Sequence, residues 1–288
     1  MTIHLYVILF AALGFTCCIT LNFSVVLVYV RDWWNSRRLL PFDQIMSSTA
    51  VTNLLLQFSI LYDVILYYSR PYIAFFDVAH LFDIAVFYFL LELHFWQTAL
   101  LSIYYSAKLV NISQHYLVWL KTKVLSCPSH LLLASVVILL ILALPLFWTI
   151  QISNVENQTQ EVVSMAHPYN LFSMAFGCFL PFTVTLTCIG LNVRLLVSHV
   201  WRIKQNISGF SSCPQIQAHV RASRTMILCA AVNLSLIFNS INLFQTKIYM
   251  GTTLHFIFWF IFMAHPTIQN IVLIGGNSKL KNRLQIKC

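Results

Sequence analysis

Residues 131–151 read LLLASVVILLILALPLFWTIQ, an apolar run without a single charged side chain. A helix rising 1.5 Å per residue needs about 20 such residues to cross a hydrocarbon core of ~30 Å. The run therefore reads as a membrane span. Working outward from it finds six more, at Leu5–Val30, Gln44–Tyr68, Ala79–Ala107, Asn170–Val197, Ser223–Gln245 and Thr252–Gly275. The whole chain is then expected to be one all-α membrane domain, a seven-transmembrane helix bundle, with a short tail over 276–288.

Composition supports this reading. Of 288 residues 59% are hydrophobic and only 9% charged, with a mean hydropathy of +0.78. A soluble domain carries ~25% charged residues, so this chain has too few to cover its own surface. Connections between spans are short and leave no room for a separate soluble domain.

The basic residues fall in every second gap. Arg31, Arg37 and Arg38 lie between spans one and two, and Lys108, Lys121 and Lys123 follow span three. Arg194, Arg202, Lys204, Arg221 and Arg224 flank the connection from span five to six, and Lys279, Lys281, Arg283 and Lys287 lie in the tail. Only Arg70 and Lys247 fall on the other side. The positive-inside rule then places the N-terminus outside and the C-terminus in the cytosol. The net charge of +9 is read as orientation plus attraction to anionic lipid, worth about 1 kcal/mol per residue near the surface, and no nucleic-acid partner is expected.

With this topology Asn157-Gln158-Thr159 is the single sequon in an outer loop, and Asn157 is the expected glycan site. No Cys remains for the outer loops, so no extracellular disulfide is expected. Cys127-x-x-His130 is an isolated pair, and two ligands do not close a zinc site. No H-E-x-x-H, G-x-S-x-G or P-loop motif is present, so neither an enzyme nor a cofactor or metal site is expected.

Several stretches resemble the bitter taste receptor family, taste receptors type 2. Asp32-Trp33, Arg37-Arg38-Leu39 and Asp43-Gln44-Ile45 are similar to the family's D-W…L…D-Q-I run. Leu101-Ser102-Ile103-Tyr104-Tyr105, Lys108 and Asn111-Ile112-Ser113 resemble L-S-x-F-Y-x-x-K-x-x-N-F-S, and Trp119-Leu120-Lys121 resembles W-L-K. Pro181-Phe182, Ala218-His219-Val220-Arg221-Ala222 and Asn277-Ser278-Lys279-Leu280-Lys281 are similar to the family's P-F, A-H-(V/I)-(K/R)-A and N-x-K-L-K. The resemblance implies a plasma-membrane G protein-coupled receptor that binds small bitter compounds in the outer half of the bundle. Its partners would be an agonist, a heterotrimeric G protein of the gustducin or inhibitory type and membrane lipid, with a homo-oligomer left open. The chain departs from the family where Asn53 replaces the usual span-two Arg, where Phe87 and Leu91 replace Trp and Asn, and at Leu236, Trp259 and Gln269. Two alternatives stand beside this reading: a vomeronasal type 1-like receptor and a small secondary transporter or channel.

At 100° per residue His80, Asp83, Phe87, Leu91, His94, Gln97, Thr98 and Ser102 share one broad face of span three, which predicts the side turned into the bundle. Phe87, Leu91, His94, Asp83, Leu236 and Trp259 are the candidate ligand contacts. Asp83 is placed near the outer mouth, either holding a cationic agonist or lying solvated beside Arg70. Glu92 points the other way and is expected to hydrogen-bond a neighbouring helix. His255 and His265 in span seven are weaker candidates. Tyr105, Lys108, His199, His219 and Arg221 are the candidate Gα contacts. Pro145, Pro181 and Pro266 each remove a backbone hydrogen bond and should interrupt spans four, five and seven.

Overall fold

The computed structural model of the protein describes residues 2–36, 39–69, 76–109, 122, 126–154, 161–165, 167–205, 214–245 and 253–284. Span one is Thr2–Ser36, span two Pro41–Ser69 and span three Phe76–Leu109. Span four runs over Pro128–Ala143 and, past a turn at Leu144 and Pro145, resumes as Leu146–Thr149. Span six is Pro214–Gln245, span seven Thr253–Gly276, and a short tail helix covers Ser278–Arg283. Six of the helices are long and apolar enough to cross a membrane. Span seven adds a shorter apolar stretch, Phe260–Gly276, within 24 helical residues that rise about 36 Å. The result is a multi-pass membrane bundle of seven helices.

One element interrupts the all-helical expectation. Ile150–Asn154 (β1) pairs antiparallel with Glu161–Met165 (β2), Ile150 standing opposite Met165. The apolar run 131–151 therefore does not stay helical to its end. Pro145 has no N–H to continue the ladder, so the chain closes a tight turn there, with Phe147 N–H donating to Leu144 O at 3.3 Å. Beyond it the backbone pairs between strands instead of along a helix. The hairpin marks one end of the bundle; the tail helix marks the other, basic end.

Each proline acts differently. Span five is assembled from His167–Ser173, a π-helical turn over Met174–Phe179, and Leu180–Gln205. The ring of Pro181 would clash with the carbonyl four residues back, on Gly177. The wider turn immediately before it gives that carbonyl room. Pro266 lies inside span seven, which continues through it as helix.

Polarity is inverted relative to a soluble protein. Leu133, Ile141, Trp148, Leu186 and Phe238 face outward, whereas Asn22, Asn53, Gln57, Asn192, Asn233 and Gln269 are almost wholly buried. Lipid tails are as apolar as leucine, so burying leucine gains little here. Close packing and interhelical hydrogen bonds, averaging ~0.6 kcal/mol each, hold the helices together. Span three packs against spans two, four, five and six, and span one closes the ring against span seven. Span three is consequently buried nearly all round, not along one face as its periodicity suggests, and it brings the candidate site residues to the centre.

Candidate functional site

Span three supplies Asp83, Phe87, Leu91, His94, Gln97, Thr98 and Ser102, and all seven are buried. The side chain of His80, and those of His255 and Trp259 in span seven, lie outside the described ones. Asp83 does not sit in solvent. It is 7% exposed, and Ser59 in span two donates its hydroxyl to Asp83 Oδ1 at 2.8 Å. Arg70, its proposed neighbour, lies outside the described residues.

One turn further on, Phe87 meets Phe262 of span seven edge to face, with ring centroids 5.3 Å apart. Leu91, Leu236 and Met263 belong to the same buried cluster. Phe262 and Met263 come three and four positions after Trp259 in the sequence, the spacing of one helical turn. That spacing was the available signal for two residues that the reading of single positions missed.

Below the aromatic layer the bundle turns polar. His94 Nδ1 lies 3.1 Å from Asn53 Oδ1. An amide oxygen can only accept, so Nδ1 carries the proton and Nε2 is left as an acceptor. The ring of His265 stands across that of His94, centroids 4.9 Å apart. Gln97 donates to Thr52 Oγ1 at 2.8 Å and Ser48 Oγ at 2.9 Å, while Gln269 donates to Thr98 Oγ1 at 3.2 Å. Asn53 Nδ2, His94 Nε2, His265 Nε2 and Gln269 Oε1 are buried with no partner among the described residues. The family's span-two Arg would bring a charge to this level; Asn53 supplies a neutral amide instead. An apolar ceiling over a neutral floor with spare donors and acceptors suits a planar or weakly polar guest. Among the described residues no three His, Cys, Asp or Glu side chains group as metal ligands. Glu92 turns away from this centre, and Ser173 of span five donates its hydroxyl to Glu92 Oε1.

The basic end is held by ion pairs. Lys279 Nζ lies 2.6 Å from Asp43 Oδ2 and 2.9 Å from Asp32 Oδ2, and Arg283 reaches Asp32 at 3.6 Å. Asn277 caps the tail helix by accepting from the N–H groups of Lys279 and Leu280. Partial burial alone would lower the pKa of the Lys279 ammonium, but its hydrogen bonds to both carboxylates outweigh this and hold it above the usual lysine value. The first-loop run holding Asp32 and Asp43 thus meets the tail motif in one cluster, a role neither motif announces alone. Of the expected Gα contacts, Tyr105 is half-buried against Phe42, ring centroids 5.4 Å apart, while Lys108 and Arg221 are exposed. The side chains of His199 and His219 lie outside the described ones, and Asn157 lies outside the described residues.

Seven apolar helices surround a centre that offers aromatic and hydrogen-bonding surface, the arrangement of a multi-pass membrane protein. The family described as Taste receptor protein (TAS2R) matches residues 1–287. Taste receptor type 2 member 9 of Macaca mulatta is 30% identical over 288 residues, covering 96% of this chain and 91% of the relative. Member 9 of Homo sapiens is 28% identical over 287 residues, with the same coverage. Member 140 of Rattus norvegicus is 28% identical over 274 residues, covering 90% and 86%. The chain belongs to the taste receptor type 2 family. It is a G protein-coupled receptor of the bitter taste type, not an enzyme, and the vomeronasal and transporter readings are not favoured.

Proposed function

We propose that a small, weakly charged bitter compound binds between spans three, six and seven, against Phe87, Leu91, Leu236 and Trp259, with its polar atom directed toward His94. Asp83 borders this site from the span-two side. The observation that carries the reading is the Phe87–Phe262 pair stacked above the half-satisfied His94–Asn53 contact. Burial at about 25 cal/mol per Å² of apolar surface supplies the affinity, and an unpaired buried acceptor selects for a donor on the ligand.

In this reading the entire chain works as one receptor domain in the plasma membrane, with the hairpin end outside, a glycan on Asn157 and the basic end in the cytosol. Agonist shifts the population toward a form whose cytosolic face is open. A tenfold preference for that form supplies about 1.4 kcal/mol. Tyr105, Lys108, His199, His219 and Arg221 then meet a Gα subunit of the gustducin or inhibitory class. The test is calcium release across a panel of bitter compounds in cells carrying a chimeric Gα, repeated with Phe87→Leu and His94→Leu. Agonists should lose at least tenfold in potency at unchanged surface expression. Potency that ignores both substitutions places the site elsewhere, and a tail epitope labelled on intact cells reverses the orientation.

A further inference from the structure

The outward side of span one carries an apolar track that runs up to a cation. Phe23, Leu27, Val30 and Trp34 are exposed, and so is Arg31. At about 100° per residue these five fall within roughly 100° of the helix circumference. Trp34 is 76% exposed and marks the level of the lipid headgroups, where amphipathic indoles settle. Arg31 therefore presents its guanidinium at the depth of the lipid phosphates, at the head of a strip that an acyl chain can follow. Among the described residues Arg31 makes no ion pair.

The tail helix brings a second guanidinium to the same corner. Leu280 is fully buried and Lys279 is tied to Asp32 and Asp43, which fixes this helix beside the end of span one. Arg283 Nη2 lies 3.6 Å from Oδ1 of Asp32, the neighbour of Arg31 in the chain, and the Arg283 side chain is 54% exposed. Among the described residues, Arg31, Lys279, Lys281 and Arg283 stand here against the carboxylates of Asp32 and Asp43 alone. The corner keeps an excess of positive charge. We infer that Arg31 and Arg283 clamp the headgroup of a lipid bearing a phosphate monoester, whose acyl chain lies along Phe23, Leu27 and Val30. A phosphate monoester carries about −1.5 to −2 charge near neutral pH, which matches that excess, whereas a diester carries a single charge. Each guanidinium offers paired N–H donors in the geometry that phosphate oxygens accept. The apolar track selects a lipid over a soluble phosphate. This surface lies apart from the proposed agonist site and does not rest on it.

The test uses the full receptor in phosphatidylcholine nanodiscs that contain a phosphatidic acid with a photoreactive acyl chain. Both leaflets hold the lipid, so the result does not depend on which way the basic end faces. Label should concentrate on the peptide spanning residues 23–34 and be displaced by unlabelled phosphatidic acid. Phosphatidylglycerol at twice the concentration, which matches the charge, should not displace it, nor should glycerol 3-phosphate. Arg31→Gln and Arg283→Gln should each lower the labelling severalfold, and together at least tenfold. Arg194→Gln, at an exposed cation of span five, should leave it unchanged. Arg31→Gln breaks no ion pair among the described residues, so it decides the matter if Arg283→Gln does not fold. Displacement by phosphatidylglycerol or glycerol 3-phosphate, label spread evenly over the lipid-facing helices, an equal loss in Arg194→Gln, or labelling unchanged in Arg31→Gln overturns the assignment.

Discussion

Lys279, in the helix after span seven, places its ammonium 2.6 Å from the buried carboxylate of Asp43 at the start of span two. The same ammonium is 2.9 Å from Asp32, so one cation joins span one, span two and the tail. Lys279→Met would leave Asp43, whose side chain is 3% exposed, without its counter-charge. Breaking a fully buried pair costs about 3–5 kcal/mol. Lys279 is 36% exposed and water screens it, so about 1–2 kcal/mol is expected. Thermal unfolding of Lys279→Met, Asp43→Asn and the double variant in detergent should show that the losses overlap. Asp32→Asn should cost less, because Lys279 keeps Asp43. Additive losses would mean the two groups do not interact.

The same contact predicts a pH response. A lysine whose folded pKa is raised contributes stability that is fully present below its unfolded value, about 10.4, and lost as pH rises through the folded one. The stability difference between the native receptor and Lys279→Met should therefore stay flat from pH 6 to 9. It should shrink only under strongly alkaline conditions. A difference that falls away by pH 8 would show that the ammonium is not held by these carboxylates.

His94→Leu removes the donor to Asn53 from the buried polar layer. An orphaned buried amide costs about 1–3 kcal/mol, whereas removing both partners can be nearly neutral. Melting temperature should fall in His94→Leu and recover in His94→Leu/Asn53→Leu. Failure to recover would assign the loss to the ring contact with His265.

How much of this was legible in the chain follows from the forces involved. Seven spans can be read from hydropathy because lipid punishes any unpaired backbone group, leaving helices as the economical solution. The inward stripe from Asp83 to Ser102 can be read because a helix repeats every 3.6 residues. The stripe says nothing about Glu92, which is equally buried on the opposite side. Periodicity reports one face, and a helix surrounded by its neighbours along most of its length has little outer face to contrast with it. Nor could the Lys279–Asp43 pair be read from the sequence, since 236 positions separate the partners and each alone is an ordinary loop charge. The π-helical turn had a faint local signal in Gly177 and Pro181, four residues apart.

Gly276 ends span seven against Thr225 of span six, and a Cβ there would overlap the threonine side chain. Gly276→Ala should force the two helices apart at the basic end, with a cost of about 1–3 kcal/mol for overpacking. Thr225→Ala removes the overlapping Oγ1 and Cγ2 but keeps the Cβ, which is also too close, so the double variant should regain part of the lost thermal stability. An equal loss with either residue at 225 would show that the Thr225 Oγ1 and Cγ2 are not what the added Cβ meets, and no loss at all would show that the helices are loosely packed there.

Arg221 stands exposed in span six, four residues before Thr225, whose hydroxyl donates 2.9 Å to the Arg221 carbonyl. Its backbone is therefore held while its guanidinium is free to meet a partner. Exposed charges contribute little to folding, so Arg221→Glu should leave surface expression and melting temperature unchanged. Charge reversal at a contact with an acidic surface slows encounter and raises the cost of docking. Maximal calcium release through a chimeric Gα should then drop severalfold, with agonist potency affected less than amplitude. Lys108→Glu, exposed at the end of span three, should act in the same direction. Because the two residues sit on different helices, the double variant should lose more than either alone. Full amplitude in both single variants would remove the basic end from the coupling surface, whereas loss of surface expression would mean these charges anchor the receptor to lipid.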